Sequence, residues 1–260
     1  MRVVIKVSGK VLHPEEHVFP RVVSQIFSQG VKLVIVHGGG PQITSMMERL
    51  GRKPQFVNGL RVTTPEDMEI TEMVLSGLLN KMLVSMLLRE GVPACGVSGK
   101  DGFLIEAEKY RENVDLGCVG EVKNVNPRLV ELLWEGGFLP VISPVSVNAQ
   151  GETLNVNADW VAAKLAQKLS ADKFILFSDV PGVLRDPEDR NSLIETLTLK
   201  EMDILFAEGR IRGGMIPKLT MLKEVLQGGV KEIFIGEGEE IKNLIAFLSG
   251  GSMCGTRIVP

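Results

Sequence analysis

Leu33-Val34-Ile35-Val36-His37-Gly38-Gly39-Gly40-Pro41 is the stretch that decides the fold class. Four branched apolar residues in succession, without polar alternation, describe a strand covered on both faces, as in a parallel sheet. Three glycines then let the backbone turn tightly, and Pro41 suits the first turn of a helix that the pattern carries over 41–50. Strand, glycine turn and helix in that order form the unit of an α/β fold. The backbone N–H groups of such a turn can face an anion.

The same rhythm recurs on both sides. Apolar runs at 3–7, 33–36, 94–97, 139–142, 174–177 and 232–235 read as strands. Helical patterns occupy 17–29, 41–50, 65–89, 127–135, 158–169, 200–208, 216–227 and 239–248. The order predicts an α/β three-layer sandwich, with a central, mainly parallel open β-sheet flanked by helices. Two segments break the rhythm: 103–106 with 114–119, and 145–147 with 153–155, each reads as a β-hairpin, so the sheet is expected to be mixed. No linker or low-complexity stretch divides the chain, and a single domain over 1–260 is expected.

Bulk properties narrow the function classes. A formal net charge of −3 offers nothing to nucleic acid or to an anionic membrane, so any bound anion must meet a local positive site. Cys95, Cys118 and Cys254 have neither disulfide nor metal-ligand spacing, and His13, His17 and His37 form no zinc motif. The chain enters a strand at Arg2-Val3-Val4-Ile5 without signal-peptide order, and no apolar run approaches the ~18 residues of a membrane span. A cytoplasmic location is expected.

Five stretches can carry chemistry. In Lys6-Val7-Ser8-Gly9-Lys10, Lys6 is either an exposed strand residue or an ammonium at the ligand-binding end of a central strand. His37-Gly38-Gly39-Gly40-Pro41 is neither a Walker A loop nor a dinucleotide fingerprint, because the required lysine and glycine spacings are missing. Asn58-Gly59-Leu60-Arg61-Val62-Thr63 places an arginine just past a turn; locally, a surface arginine on a hairpin is the simpler reading. In Asn155-Val156-Asn157-Ala158-Asp159, alternation puts both asparagines on one side, with Asp159 in the first turn of a helix; a plain N-cap by Asn157 is the simpler alternative. Gly213-Gly214-Met215-Ile216-Pro217-Lys218 brings a lysine to a helix start, which the macrodipole disfavours unless an anion shares the site.

Together with Ser178-Asp179-Val180-Pro181-Gly182-Val183 and Gly255-Thr256-Arg257-Ile258, these motifs match in order and spacing, and the chain closely resembles the acetylglutamate kinase family of the amino acid kinase superfamily. The resemblance implies an N-terminal lobe, about 1–170, that binds the amino acid and dimerises, and a C-terminal lobe, about 171–260, that binds ATP. It implies that Lys6 and Lys218 flank the transferred phosphoryl group and that Asp159 holds both. Gly39 and Gly40 would present N–H groups, Arg61 would take the α-carboxylate, and Asn155 would meet the N-acetylated nitrogen. Gly9, Asp179, Val180, Pro181, Gly182, Val183 and Leu184, with Arg210, Ile211 and Arg212, would border the nucleotide. Magnesium would arrive on the ATP phosphates, with no protein metal site.

The implied reaction is ATP-dependent phosphorylation of the γ-carboxylate of N-acetyl-L-glutamate in arginine biosynthesis, by a homodimer. Alternatives are the same reaction on N-acetyl-aminoadipate or a carrier-linked amino acid in lysine biosynthesis, and a non-catalytic amino-acid sensor on the same fold. The family usually has two glycines near the first lysine where this chain has Ser8 and Gly9; serine is tolerable there unless the backbone needs positive φ. The chain also lacks the N-terminal helical extension of arginine-inhibited members, so a dimer without arginine feedback is expected.

Overall fold

The computed structural model describes residues 1–9, 17–111, 114–186 and 188–260; Lys10 and His13 of the sequence reading lie outside them. The chain begins with β1 (Arg2–Val7), α1 (Val18–Ser28), β2 (Lys32–His37), α2 (Gly40–Arg49) and a hairpin of β3 (Phe56–Val57) and β4 (Leu60–Arg61). A continuous helical segment follows: α3 (Pro65–Glu72), a π-helical stretch (Met73–Leu79) and α4 (Asn80–Arg89). Next come β5 (Ala94–Ser98), β6 (Ile105–Lys109), β7 (Val119–Val125), α5 (Arg128–Glu135), β8 (Leu139–Ser143), β9 (Val145–Val147) and β10 (Thr153–Val156). The remainder is α6 (Ala158–Lys168), β11 (Lys173–Ser178), β12 (Thr196–Thr198), α7 (Leu199–Ala207), α8 (Met215–Gln227), β13 (Glu232–Glu237), α9 (Leu244–Leu248) and β14 (Thr256–Val259).

The main sheet has the order β12-β14-β13-β11-β1-β2-β8-β5. From β5 across to β13 every pairing is parallel; only β14 runs antiparallel to β13. The consecutive apolar residues have the expected cause, because both faces are covered. On β1, Val4 joins the core beneath α6 and α8, while Val3, Ile5 and Val7 join the core with α1, α4 and α9. Burying a side chain such as Phe174 or Ile5 completely contributes roughly 1.5–3 kcal/mol each.

Two expectations change. The hairpins do not extend the main sheet: β6, β7, β9 and β10 close on one another as a small separate barrel. β10 and the start of β6 alternate buried with more accessible residues, so these strands have one face to hide, and closure hides it without leaving an edge. The first hairpin also pairs later than expected, 105–109 with 119–125, because Gly102 and Phe103 take positive φ and end the preceding turn. The helical segment Pro65–Arg89 is, among the described residues, the one helix long and apolar enough to cross a membrane. Half of its most apolar 18-residue stretch is buried, with Val74, Leu75, Leu79, Leu83 and Leu87 in the core, as in an internal helix.

Candidate active site

Strand register explains why three charged residues meet. Side chains of period two put Lys6 on the same face of β1 as Val4, the face that α6 covers. Asn157 caps α6, its side-chain oxygen accepting from the Asp159 N–H at 2.8 Å, and this sets Asp159 in the first turn above the end of β1. The Lys6 Nζ lies 2.8 Å from Asp159 Oδ1, with the Phe177 carbonyl at 3.4 Å. Lys218, in the first turn of α8, donates to Ser178 Oγ at 2.6 Å and stands 3.6 Å from Asp159 Oδ2. One carboxylate thus gathers two ammonium groups, and one positive charge is left over. Burial alone would push the Asp159 carboxyl up, but the charges of Lys6 and Lys218 and their hydrogen bonds outweigh it and hold it below the usual carboxylate range.

The glycine loop forms the adjoining wall. The Gly38 N–H donates to the Val7 carbonyl at 3.0 Å, which ties the loop to the end of β1. His37 points to the opposite face and is fully buried. The Gly38 carbonyl can only accept, so His37 Nδ1 carries the proton (3.0 Å), and Nε2 accepts from Asn80 at 3.2 Å. Burial drives the His37 pKa down to about 4, with the Lys81 charge adding to the effect. The three glycines are not equivalent. A Cβ on Gly39 would come 2.3 Å from Leu79 and 2.7 Å from Leu75, so close packing demands glycine; at Gly40 no atom lies within 4 Å, and the space is open cleft. Neither Ser8 nor Gly9 has positive φ, so serine occupies its position without backbone strain.

Arg61 is buried rather than a surface arginine. Its guanidinium donates to the Gly40 carbonyl at 3.0 Å and to Thr44 Oγ1 at 2.8 Å, and it stacks over Phe56 at 4.6 Å. Among the described residues no carboxylate lies within ion-pair distance of it, and burial lowers its pKa. A desolvated guanidinium held by neutral acceptors is a receptor for an anion. The β3–β4 hairpin that carries it turns at Asn58 and Gly59, both with positive φ as a two-residue hairpin turn requires.

A cleft of about 940 Å³ is lined by Lys6, Gly9, Gly39, Gly40, Arg61, Asn155, Asn157, Asp159 and Asp179; Lys218 does not line it and stands behind Asp159. Of the other residues expected near a nucleotide, Val183 and Ile211 are core side chains and offer a ligand only their backbone. Gly182 is required by its positive φ and by contact with Leu193 and Thr256. Arg210 pairs with Glu208 at 2.9 Å, and Arg212 is exposed; Val180, Pro181 and Leu184 do not line the cleft. Sequence reasoning missed Tyr110, Val122, Trp160 and Lys164, which do line it. Lys164 pairs with Glu224 at 3.0 Å. No local signal marks them, because they reach the cleft through the small barrel and the first two turns of α6.

Among the described residues no group of three acidic, histidine or cysteine side chains stands close enough to hold a metal ion.

The profile of the amino acid kinase family matches residues 1–237. A relative named acetylglutamate kinase from Archaeoglobus fulgidus is 43% identical over 90% of this chain and 84% of its own length. Another of the same name, from Caldanaerobacter subterraneus subsp. tengcongensis, is 47% identical over 88% and 77%. Among solved structures, smu.665 from Streptococcus mutans UA159 superposes with a TM-score of 0.82 at 30% identity, covering 99% of this chain and 98% of that one.

Proposed function

We propose, from the premise that this chain belongs to the amino acid kinase family and within it to the acetylglutamate kinases, that it transfers the γ-phosphoryl group of ATP to the γ-carboxylate of N-acetyl-L-glutamate, a step of arginine biosynthesis. The observation that carries the reading is the pair of ammonium groups on Asp159, which lines a cleft that also holds a buried guanidinium with no carboxylate within ion-pair distance among the described residues.

The chemistry suits these groups. A side-chain carboxylate is ionised at pH 7 and needs no general base to attack. The obstacle is charge: an anion approaches a phosphoryl group and displaces another anion. Lys6 and Lys218 supply positive charge on either side of the group in flight, and Asp159 keeps them from drifting apart. The N–H groups at the start of α2 precede its first intrahelical bond, Ile43 to Gly39, and so are available to oxygens. Magnesium, bound to the ATP phosphates, would neutralise part of their charge. Arg61, its Nη2 held by the Gly40 carbonyl and Thr44, offers its charge and remaining N–H groups to the α-carboxylate, and Asn155 meets the N-acetylated nitrogen. Asp179, Gly214 and Pro217 bring the second lobe to the cleft, which supports acceptor binding by about 1–170 and ATP binding by about 171–260.

The reading includes a cytoplasmic homodimer. Met73, Leu78 and Leu88 are 60%, 54% and 54% exposed on the long helical segment, apolar side chains that a second copy would cover. One acceptor methylene is worth only about 1–3 kcal/mol of discrimination, so N-acetyl-aminoadipate is the acceptor to test against. ATP consumption with hydroxylamine trapping of the acyl phosphate, run with N-acetylglutamate, N-acetyl-aminoadipate, glutamate and aspartate, is expected to favour the first. Trapping with N-acetyl-aminoadipate alone would move the enzyme to that acceptor; none with any of the four supports a sensor.

A further inference from the structure

Thr63 has no exposed surface. Its hydroxyl donates to the Arg61 carbonyl at 2.8 Å. A carbonyl only accepts, so the single hydroxyl proton is committed there. The side-chain amide of Asn155 stands 3.1 Å from the same oxygen. With its proton spent, Thr63 Oγ1 can only accept from that amide. Asn155 must therefore turn its NH2 toward Thr63 and its carbonyl oxygen Oδ1 away from it.

The backbone makes this arrangement stiff. The Thr63 N–H donates to the Leu116 carbonyl at 2.9 Å, the Cys118 N–H to the Thr63 carbonyl at 2.6 Å, and the Asn155 N–H to the Cys118 carbonyl at 2.8 Å. Residues 116–118 thus hold both partners. Gly117, at φ +73, permits the approach: a Cβ there would lie 2.2 Å from the Thr63 carbonyl oxygen. Asn155 lines the cleft, and its Oδ1 has no hydrogen-bond partner among the described residues.

We infer that Thr63 is a positioning residue that fixes Asn155 with Oδ1 as a lone acceptor, so that the site selects an acceptor substrate bearing an N–H on its α-nitrogen. The inference rests on the reading above, in which Asn155 faces the N-acylated nitrogen. The same hydroxyl ties the Arg61 backbone to Asn155, so the residues that meet the carboxylate and the amide move as one unit. A substrate with oxygen in place of the N–H sets its own lone pairs against Oδ1 and leaves that acceptor unpaired.

The test compares N-acetylglutamate with 2-acetoxyglutarate, its ester analogue, in wild type, Thr63→Val and Thr63→Ser, with ATP. Wild type is expected to prefer the amide by about 10- to 100-fold in kcat/KM. Thr63→Val, which keeps the branched shape, should cut that preference to a few-fold by raising KM for the amide about tenfold, with KM for ATP within about twofold. Thr63→Ser, which keeps the hydroxyl, should retain the preference. If Thr63→Val does not fold by circular dichroism, Thr63→Ala supplies the same comparison. The inference is overturned if wild type shows no preference, if the hydroxyl-free variant keeps it, or if both substrates suffer alike. Wild type inactive on N-acetylglutamate would instead sink the kinase reading itself, before any variant is measured.

Discussion

Lys6, Lys218 and Asp159 are tied to one another, so removing any one changes the charge the others see. Removing a donor aimed at developing charge costs on the order of 10²–10³ in rate, and Lys6→Met or Lys218→Met should lower kcat by at least that much while thermal melts stay cooperative. Near-normal kcat in either variant would take that lysine out of the mechanism. Arg61→Ala should raise KM for the acceptor far more than KM for ATP, and Arg61→Lys should not rescue it, since an ammonium cannot hold the Gly40 carbonyl and Thr44 while also facing an anion as the planar guanidinium does; equal effects on the two KM values would contradict the role. His37 gives a pH signature. Its pKa falls from 6.5 to about 4 on folding, so between those values the unfolded chain binds the extra proton and stability rises with pH. The contribution is complete above pH 6.5 and shrinks as pH drops toward 4, by about 3 kcal/mol at most. Asp159 is silent in that window: its lowered pKa means its contribution is lost only as pH falls below the ordinary aspartate range. Urea midpoints between pH 7 and 5 should therefore slope in wild type and flatten in His37→Gln; parallel slopes would refute the assignment.

Elements place these residues, and the glycine loop shows how closely. Gly39 rests against Leu75 and Leu79 of the π-helical stretch, both buried, whereas Gly40 faces the cleft. Overpacking of this kind typically costs about 1–3 kcal/mol, so Gly39→Ala should lower the urea midpoint by that amount. Gly40→Ala should leave the midpoint almost unchanged and depress kcat instead, because its methyl group enters the cleft. Similar stability losses in both would mean that the loop is one packing unit with no functional division. The π-helical stretch also ends at Asn80, whose amide donates to the Val141 carbonyl and to His37, linking the helix to the floor beneath the loop. The start of that long segment is fixed by a capping box at Thr64 and Asp67, reinforced by Arg52.

At the scale of the whole molecule, the proposed homodimer makes assembly concentration-dependent, with the exposed Met73, Leu78 and Leu88 of the long helical segment as its contact. Wild type should run as a dimer in size-exclusion chromatography at micromolar concentration, and Met73→Lys with Leu88→Lys should run as a monomer; a monomeric wild type would leave that face for another partner. The strand–turn–helix alternation, the parallel sheet and nearly all helix bounds were legible in the chain itself, because period, glycine and proline act over a few residues: α3 begins at Thr64-Pro65 as its cap dictates, and α6 at Asn157. Arg61 illustrates the limit, since its neighbours describe only a hairpin, and its burial comes from α2 folding over it. The separate closure of β6, β7, β9 and β10 was equally invisible, because alternation says that a strand has one hidden face but not what hides it. The sequence alone determined the helices and the central parallel strands, but not β12, β14 or the bounds of β6 and β7. Only the tertiary structure decided that Lys6 meets Lys218 at Asp159 and that Thr63 orients Asn155, because those contacts depend on which strands lie side by side, and strand order is chosen by the packing of the entire core.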